Sequence, residues 1–243
     1  MERLEVNLDA LKSISEGSLG TVLDTQGTNG IVIKNGEELI KINRESFDRI
    51  VDEDHKYITY SNDYLSTEQE KLLKRFDALR SKIKLTEFPH KGVYFEDKLI
   101  GTVSKFYKGR TLDNAKPSDN IYRITIDVLN ILFEYEKNGI SFQDVHARNY
   151  IIDDNGIIHP IDLDDPKYTF IKDPNFYGMY HNYWNLLIPE LLYETFSKID
   201  FVNYGYTRLG ILDALYDELP LEYQGEIRKL FFETEEYEKN KRK

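Results

Sequence analysis

Asp144, Asn149 and Asp162 stand around two short apolar runs, and their side chains are of the kinds that hold a hard metal ion and move a proton. Mg²⁺ prefers oxygen ligands and usually takes only one or two carboxylates, with phosphates and water completing its shell, so one Asp and one Asn amide suffice beside a triphosphate. Asn149 precedes the run Tyr150-Ile151-Ile152, and Asp162 follows the run that begins at Ile157-Ile158. Between them Asp153-Asp154-Asn155-Gly156 is a strong hairpin-turn signal. A hairpin is therefore expected to bring Asn149 close to Asp162. Asp144, on the loop before it, is left to orient an acceptor hydroxyl and accept its proton. A solvated acidic hairpin would carry the same residues, so the elements around them have to discriminate.

Upstream, Gly20 to Ile42 predicts three strands, with Asn35-Gly36 as the turn between Ile31-Val32-Ile33 and Leu39-Ile40-Lys41-Ile42. A helix is expected from Thr67 to Ile83, because Leu65, Leu72, Phe76, Leu79 and Ile83 form one apolar stripe at helical spacing. Ser66 is its expected N-cap, with Glu68 and Glu70 in the first turn. On a helical wheel Glu68 falls beside the stripe and Glu70 points away from it. Gly92 to Leu112 reads as a second hairpin running into a glycine-containing connection. Ile121 to Glu136 predicts an amphipathic helix that ends at Asn138-Gly139 and delivers the chain into the Asp144 loop. Further helices are expected from Trp184 to Leu191, Arg208 to Tyr216 and Leu221 to Phe232, and residues 43–64 read as a polar insertion without an assigned role.

Taken in order, from about residue 20 to residue 190, these elements resemble the protein kinase-like superfamily. Asp144 and Asn149 repeat the D-x-x-x-x-N spacing of its catalytic loop, and Asp162 stands where its metal-binding Asp does. The resemblance implies an α+β, bilobal fold forming one kinase-like domain. Residues 1–106 would form a β-rich N-lobe, the nucleotide lid, and residues 107–243 a reduced α-helical C-lobe. It implies ATP as phosphoryl donor, Mg²⁺ held by Asn149 and Asp162, and Asp144 as the base.

Gly27-Thr28-Asn29-Gly30-Ile31-Val32 matches the later part of the kinase glycine loop, G-x-x-G-x-V, with Thr25 in place of the earlier glycine. Lys41 resembles the lysine that pairs with the phosphates, with Glu68 to hold it; Lys34 would take that role only if Gly17-Ser18-Leu19-Gly20 were the glycine loop. Ser104 would stand at the back of the nucleotide pocket, and backbone groups of Lys105 and Tyr107 would meet the adenine edge. The chain also departs from the family. Gln143 replaces the Arg before the catalytic Asp, Leu163-Asp164 replaces Phe-Gly, and no A-P-E follows. Without that Arg a phosphorylated activation loop has no obvious partner, which implies constitutive competence. His146, in Asp-Val-His-Ala-Arg-Asn, resembles the D-x-H-x-x-N of aminoglycoside and choline kinases and is expected either near the γ-phosphate or as a brace of the loop. Three functions follow: a divergent serine/threonine protein kinase, a small-molecule kinase, or a pseudokinase module. The first two use ATP and a hydroxyl-bearing acceptor, protein or small molecule, and the third binds a partner or nucleotide without catalysis.

Composition narrows the partners. The chain has 243 residues and a formal net charge of −11, which argues against nucleic acid or an anionic membrane as the main partner. It contains no cysteine, which excludes disulfides and thiolate metal sites and fits a cytoplasmic protein. No apolar run approaches membrane-spanning length, and the N-terminus lacks the basic-then-apolar order of a signal peptide.

Overall fold

A computed structural model describes residues 2–24, 30–51, 61–84, 86–115, 119–165, 169–171, 176–188 and 207–241. The fold is α+β, and the chain divides into two units, Met1–Lys108 with Asp162–Ile171 and Gly109–Ile161 with Lys172–Lys243. The expected division after residue 106 thus falls two residues later. Asp162–Ile171, expected with the second half, groups with the first unit.

In the first unit, strands β1 (Glu2–Glu5), β2 (Thr21–Asp24), β3 (Gly30–Asn35), β4 (Glu38–Asn43), β5 (Lys91–Phe95) and β6 (Lys98–Lys105) form one mixed six-stranded sheet, in the order β1-β5-β6-β4-β3-β2. Its pairs are antiparallel except β1, which runs parallel to β5. The β3–β4 hairpin turns through Gly36 at φ +61°, as Asn-Gly predicts. The β5–β6 turn puts Glu96 and Asp97 at positive φ, so that hairpin is made without glycine. Alternation sets the two faces. Ile31, Ile33, Ile40, Ile42, Val93 and Val103 point into a core shared with Val6, Leu11 and Ile14. The other face carries a row in register across three strands, Val32 opposite Lys41 and Lys41 opposite Thr102. The close approach of β6 to β4 needs Gly101, where an added Cβ would lie 2.2 Å from the Lys41 carbonyl oxygen.

Helix α1 (Leu8–Lys12) is capped by the Asn7 side chain, which accepts from the Ala10 amide at 2.8 Å. Part of the expected insertion is helical: α2 (Arg44–Val51) starts where Asn43 Oδ1 accepts from the Ser46 amide at 3.1 Å. Residues 52–60 lie outside the described part. Helix α3 (Ser61–Leu79) begins six residues before the predicted start, so Ser66 is not its N-cap. Its hydroxyl instead donates to the Leu99 carbonyl at 2.9 Å. The predicted stripe is inward where its side chains are described: Leu72, Phe76 and Leu79 are buried, and Ile83 is buried beyond the helix end. Phe76 stacks on Phe88 with centroids 4.5 Å apart.

The second unit is built on α4 (Ile121–Lys137), capped by Asn120, whose side chain accepts from the Arg123 amide. Gly139 at φ +72° turns the chain from it into β8 (Ile140–Phe142). Strand β9 (Tyr150–Asp153) pairs with β10 (Ile158–Pro160) as the predicted hairpin and with β7 (Gly109–Thr111) on its other edge. Helix α5 (Tyr177–Asn182) runs on into a π-helical turn, Tyr183–Leu187, where a plain helix from Trp184 is expected. Helices α6 (Arg208–Glu218) and α7 (Leu221–Lys241) complete the unit, α7 running past the expected end at Phe232. Buried tyrosines tie these helices together. Tyr180 Oη donates to Glu136 Oε2 at 2.6 Å and Tyr183 Oη to the Thr125 carbonyl at 2.9 Å. Among the described residues no helix is long and apolar enough to cross a membrane.

Candidate active site

Lys41 sits mid-strand in β4, on the sheet face away from the apolar core, and its ammonium meets two carboxylates from far along the chain. Its Nζ lies 3.0 Å from Asp162 Oδ1 and 3.5 Å from Asp164 Oδ1. Burial alone would lower the proton affinity of this amine. The charges of Asp164 and Asp162, with the hydrogen bond to Asp162, outweigh that and hold it well above the ordinary lysine value.

The two aspartates differ in setting. The Asp162 side chain is 44% exposed, and its backbone is left-handed at φ +60°. Aspartate is among the few residues with a Cβ that adopt this conformation as a single residue in a turn. The Asp164 side chain is only 6% exposed. Its Oδ2 accepts from Thr102 Oγ1 at 2.6 Å and from Gln69 Nε2 at 3.3 Å, while the same amide donates to the Asp164 carbonyl at 3.2 Å. A buried carboxylate is tolerated when its lone pairs are satisfied this fully. Thus β4, β6 and α3 each send one side chain to the Asp162–Asp164 loop. That is why this loop belongs to the first unit.

In the second unit the Asp144 loop is pinned by alternating burial. Phe142, Val145, Ala147 and Tyr150 are fully buried, which leaves Asp144 and His146 partly open between them. Asn149, itself 5% exposed, donates through Nδ2 to Asp144 Oδ2 at 2.8 Å and to the Asp144 carbonyl at 2.9 Å. Its amide nitrogen therefore faces Asp144, and its Oδ1 is the atom left to act as a ligand. The Asn149 carbonyl accepts from the Ile161 amide at 2.9 Å, fixing the end of the hairpin. His146 Nε2 lies 3.3 Å from Asp144 Oδ1, and its buried Nδ1 has no hydrogen-bond partner among the described residues. Gln143 does not reach outward as an arginine in its place would. Its carbonyl accepts from Asn182 Nδ2, and its side chain packs where a Cβ on Gly178 would lie 3.3 Å away.

The predicted residues therefore fall into groups. Lys41 and Asp162 are brought together in the first unit, and Asp144, His146 and Asn149 in the second. Of the two candidate lysines, Lys34 instead places its ammonium 4.3 Å from the centre of the Phe106 ring. Glu68 is not brought to Lys41. Its carboxylate pairs with Lys71 at 2.6 Å along the helix, and Glu70 pairs with Lys74. The reason is the helix phase: Gln69, three before Leu72 and seven before Phe76, occupies the inward position and takes the contact. That spacing was the available signal for Gln69, and a search restricted to acidic residues passes over it. Asp164 carried no comparable signal, since a second acidic residue after Ile161 looks like solvated loop.

Gly30 and Val32 lie on β3, with Val32 in register with Lys41, whereas Gly27, Thr28 and Asn29 lie outside the described residues. Ser104 and Lys105 lie on β6 opposite Leu39 and Glu38. Lys105 Nζ pairs with Glu87 at 2.9 Å. Tyr107 follows β6, and burial raises its phenol above the ordinary tyrosine value. No family model matches the chain, and no curated protein sequence matches it.

Chemically, the first unit offers a half-buried ammonium beside one partly exposed carboxylate, a pairing suited to phosphate and a hard cation. The second offers a carboxylate oriented by an amide whose oxygen is a hard ligand. Each unit by itself thus presents oxygens of the kind that Mg²⁺ accepts, an ion that needs few protein ligands when phosphates share its shell.

Proposed function

We propose that the protein is a Mg·ATP-dependent phosphotransferase of the bilobal, protein kinase-like type that moves the γ-phosphoryl group to a hydroxyl acceptor, as a divergent serine/threonine kinase. The observation that carries this reading is the 3.0 Å pairing of Lys41 Nζ with Asp162 Oδ1 across 121 positions of sequence. An acidic hairpin exposed for solubility has no need of a half-buried lysine from a distant strand.

In this reading Lys41 steadies the phosphates, and Asn149 Oδ1 and the Asp162 carboxylate are the oxygens that would hold Mg²⁺. The chemistry a bound Mg²⁺ supplies is neutralisation of charge on the phosphate oxygens. Asp144, kept in one orientation by the Asn149 amide, aligns the acceptor hydroxyl and takes its proton as the new O–P bond forms and the bond from the γ-phosphorus to the β–γ bridging oxygen breaks, releasing ADP. Positioning and electrostatics carry most of the rate. His146 beside Asp144 favours a second acceptor class, the small alcohols phosphorylated by aminoglycoside- and choline-type kinases.

The test is Mg·ATP turnover by the wild type and Asp144→Asn, offered first mixed proteins and then a panel of small alcohols. Loss of about 10²-fold or more in transfer, with Mg·ATP binding retained, is the expected result. Undiminished transfer in Asp144→Asn would refute the assigned base. Failure of the wild type to bind Mg·ATP would refute the phosphotransferase, and binding without transfer to any acceptor would favour a nucleotide-binding pseudokinase.

A further inference from the structure

Lys41 has to be held in place if it is to meet phosphates, and the helix glutamates that could do so are engaged elsewhere, Glu68 with Lys71 and Glu70 with Lys74. We propose that Asp164 is the positioning residue for Lys41, held ready by Thr102 and Gln69, so that the lysine's anchor comes from the metal-binding loop itself. This rests on the reading of Lys41 as the phosphate-binding lysine.

Three observations support it. The Asp164 side chain is 6% exposed against 44% for Asp162, so of the two carboxylates on Lys41 it is the one walled in by protein. Each of its oxygens has a defined job: Oδ1 faces Lys41 at 3.5 Å, and Oδ2 accepts from Thr102 at 2.6 Å and Gln69 at 3.3 Å. Thr102 is the register partner of Lys41 on the neighbouring strand, so anchor and lysine are referenced to the same row of the sheet. Asp162, more exposed, is thereby released from the lysine when it has a cation to serve. Asp164 has no such freedom.

The arrangement has a consequence for regulation. When a helix glutamate anchors the lysine, moving the helix breaks the pair. Here α3 contributes only an amide to the anchor, so the charge pairing of Lys41 and Asp164 lies within β4 and the loop. The site is set without a glutamate that swings in.

The experiment exchanges carboxylate and amide between the two contacting positions. Steady-state kinetics and Mg·ATP binding are measured for the wild type, Asp164→Asn, Glu68→Gln, and the double variant Asp164→Asn with Gln69→Glu. Asp164→Asn is expected to raise KM and Kd for Mg·ATP about tenfold or more, the scale of a lost charge-assisted contact. Glu68→Gln is expected to change them by less than about twofold, since its partner is a surface lysine. The double variant, which restores one carboxylate and one amide to the same site, is expected to recover most of the loss. A merely structural role for Asp164 would lower the Tm of Asp164→Asn without moving KM or Kd for Mg·ATP of the folded protein. Wild-type values in Asp164→Asn, or a larger loss in Glu68→Gln, would overturn the proposal while leaving the phosphotransferase reading intact. No Mg·ATP binding by the wild type would overturn both. Should Asp164→Asn fail to fold, Gln69→Met removes one amide donor from the anchor and is expected to raise KM several-fold. Gln69→Met at wild-type values would overturn the proposal by that route.

Discussion

Thr102→Val is a direct probe of the acidic cluster, because it removes one hydroxyl from a buried carboxylate with almost no change of shape. Thr102 is 2% exposed, and its Oγ1 donates to Asp164 Oδ2 at 2.6 Å, a short bond to a charged acceptor. Bonds of that kind contribute about 1.5–3 kcal/mol, and the acceptor left behind stays buried without a replacement donor. Gln69 Nε2, at 3.3 Å, already bonds the same oxygen and cannot supply a second hydrogen there without giving up the Asp164 carbonyl. The expected loss is therefore about 1.5–3 kcal/mol in the stability of the first unit, roughly a 10- to 150-fold change in its unfolding constant. Urea unfolding followed by far-UV dichroism and by exchange of the β4 and β6 amides measures it. Thr102→Ser, which keeps the hydroxyl and loses a methyl group, serves as the control, with an expected cost of about 1 kcal/mol. A cycle with Asp164→Asn isolates the pairwise term. Thr102→Val within about 0.5 kcal/mol of the wild type, or a coupling term near zero, would refute the claim that this bond anchors the loop.

Two further predictions concern charged side chains in the second unit. Arg208 is buried with all three guanidinium nitrogens unpartnered by hydrogen bonds among the described residues, and burial lowers its proton affinity to about 9 despite the nearby Glu136 carboxylate. A base whose folded-state value is depressed gives up its proton first in the folded state, so stability is expected to rise as pH increases from about 9 towards 12. Arg208→Met is expected to stabilise the protein by about 1–3 kcal/mol at neutral pH, the cost of a buried polar group without a hydrogen-bond partner, with Glu136 keeping Tyr180 and Lys241 as neighbours; a lowered Tm would contradict this. Asp153 is the acid counterpart: burial raises its carboxyl, but the Ile157 and Asn155 amides and His159 outweigh that and hold it below the ordinary aspartate range. Its contribution is present above the unfolded-state value and lost as pH falls through the folded one. Protection of the β9–β10 amides should therefore drop below about pH 4. Asp153→Asn should flatten that acid slope, and an unchanged slope would exclude Asp153 as its source.

Much of the architecture was legible because local rules had no competitor. Asn35-Gly36 and Asp153 to Gly156 each demanded a hairpin, and each is one. The Ile31 to Ile42 alternation demanded a sheet with one apolar face, which the core confirms residue by residue. The start of α3 was misplaced for a physical reason. Ser66 suits a cap, but its hydroxyl found the Leu99 carbonyl on β6 instead, so the helix continued back to Ser61. The π-helical turn at Tyr183–Leu187 was not expected, since the apolar residues from Trp184 onward suit a plain helix as well.

By itself the sequence determined which residue types were available and which strand, turn or loop would carry them: Lys41 on the third strand of a meander, Asp144 and Asn149 five apart ahead of a hairpin, Asp162 after it. These follow from period-two burial and turn stereochemistry, which act over a few residues. What only the tertiary structure decided was the set of partners. Glu68 and Gln69 differ by one position and 100° of helix, and the packing phase of α3 turned the amide inward and left the acid to Lys71. Asp164 became the buried partner of Lys41 because β4, β6 and α3 converge on one carboxylate. That convergence joins positions 41, 69, 102 and 164, a spacing over which neither propensity nor periodicity acts.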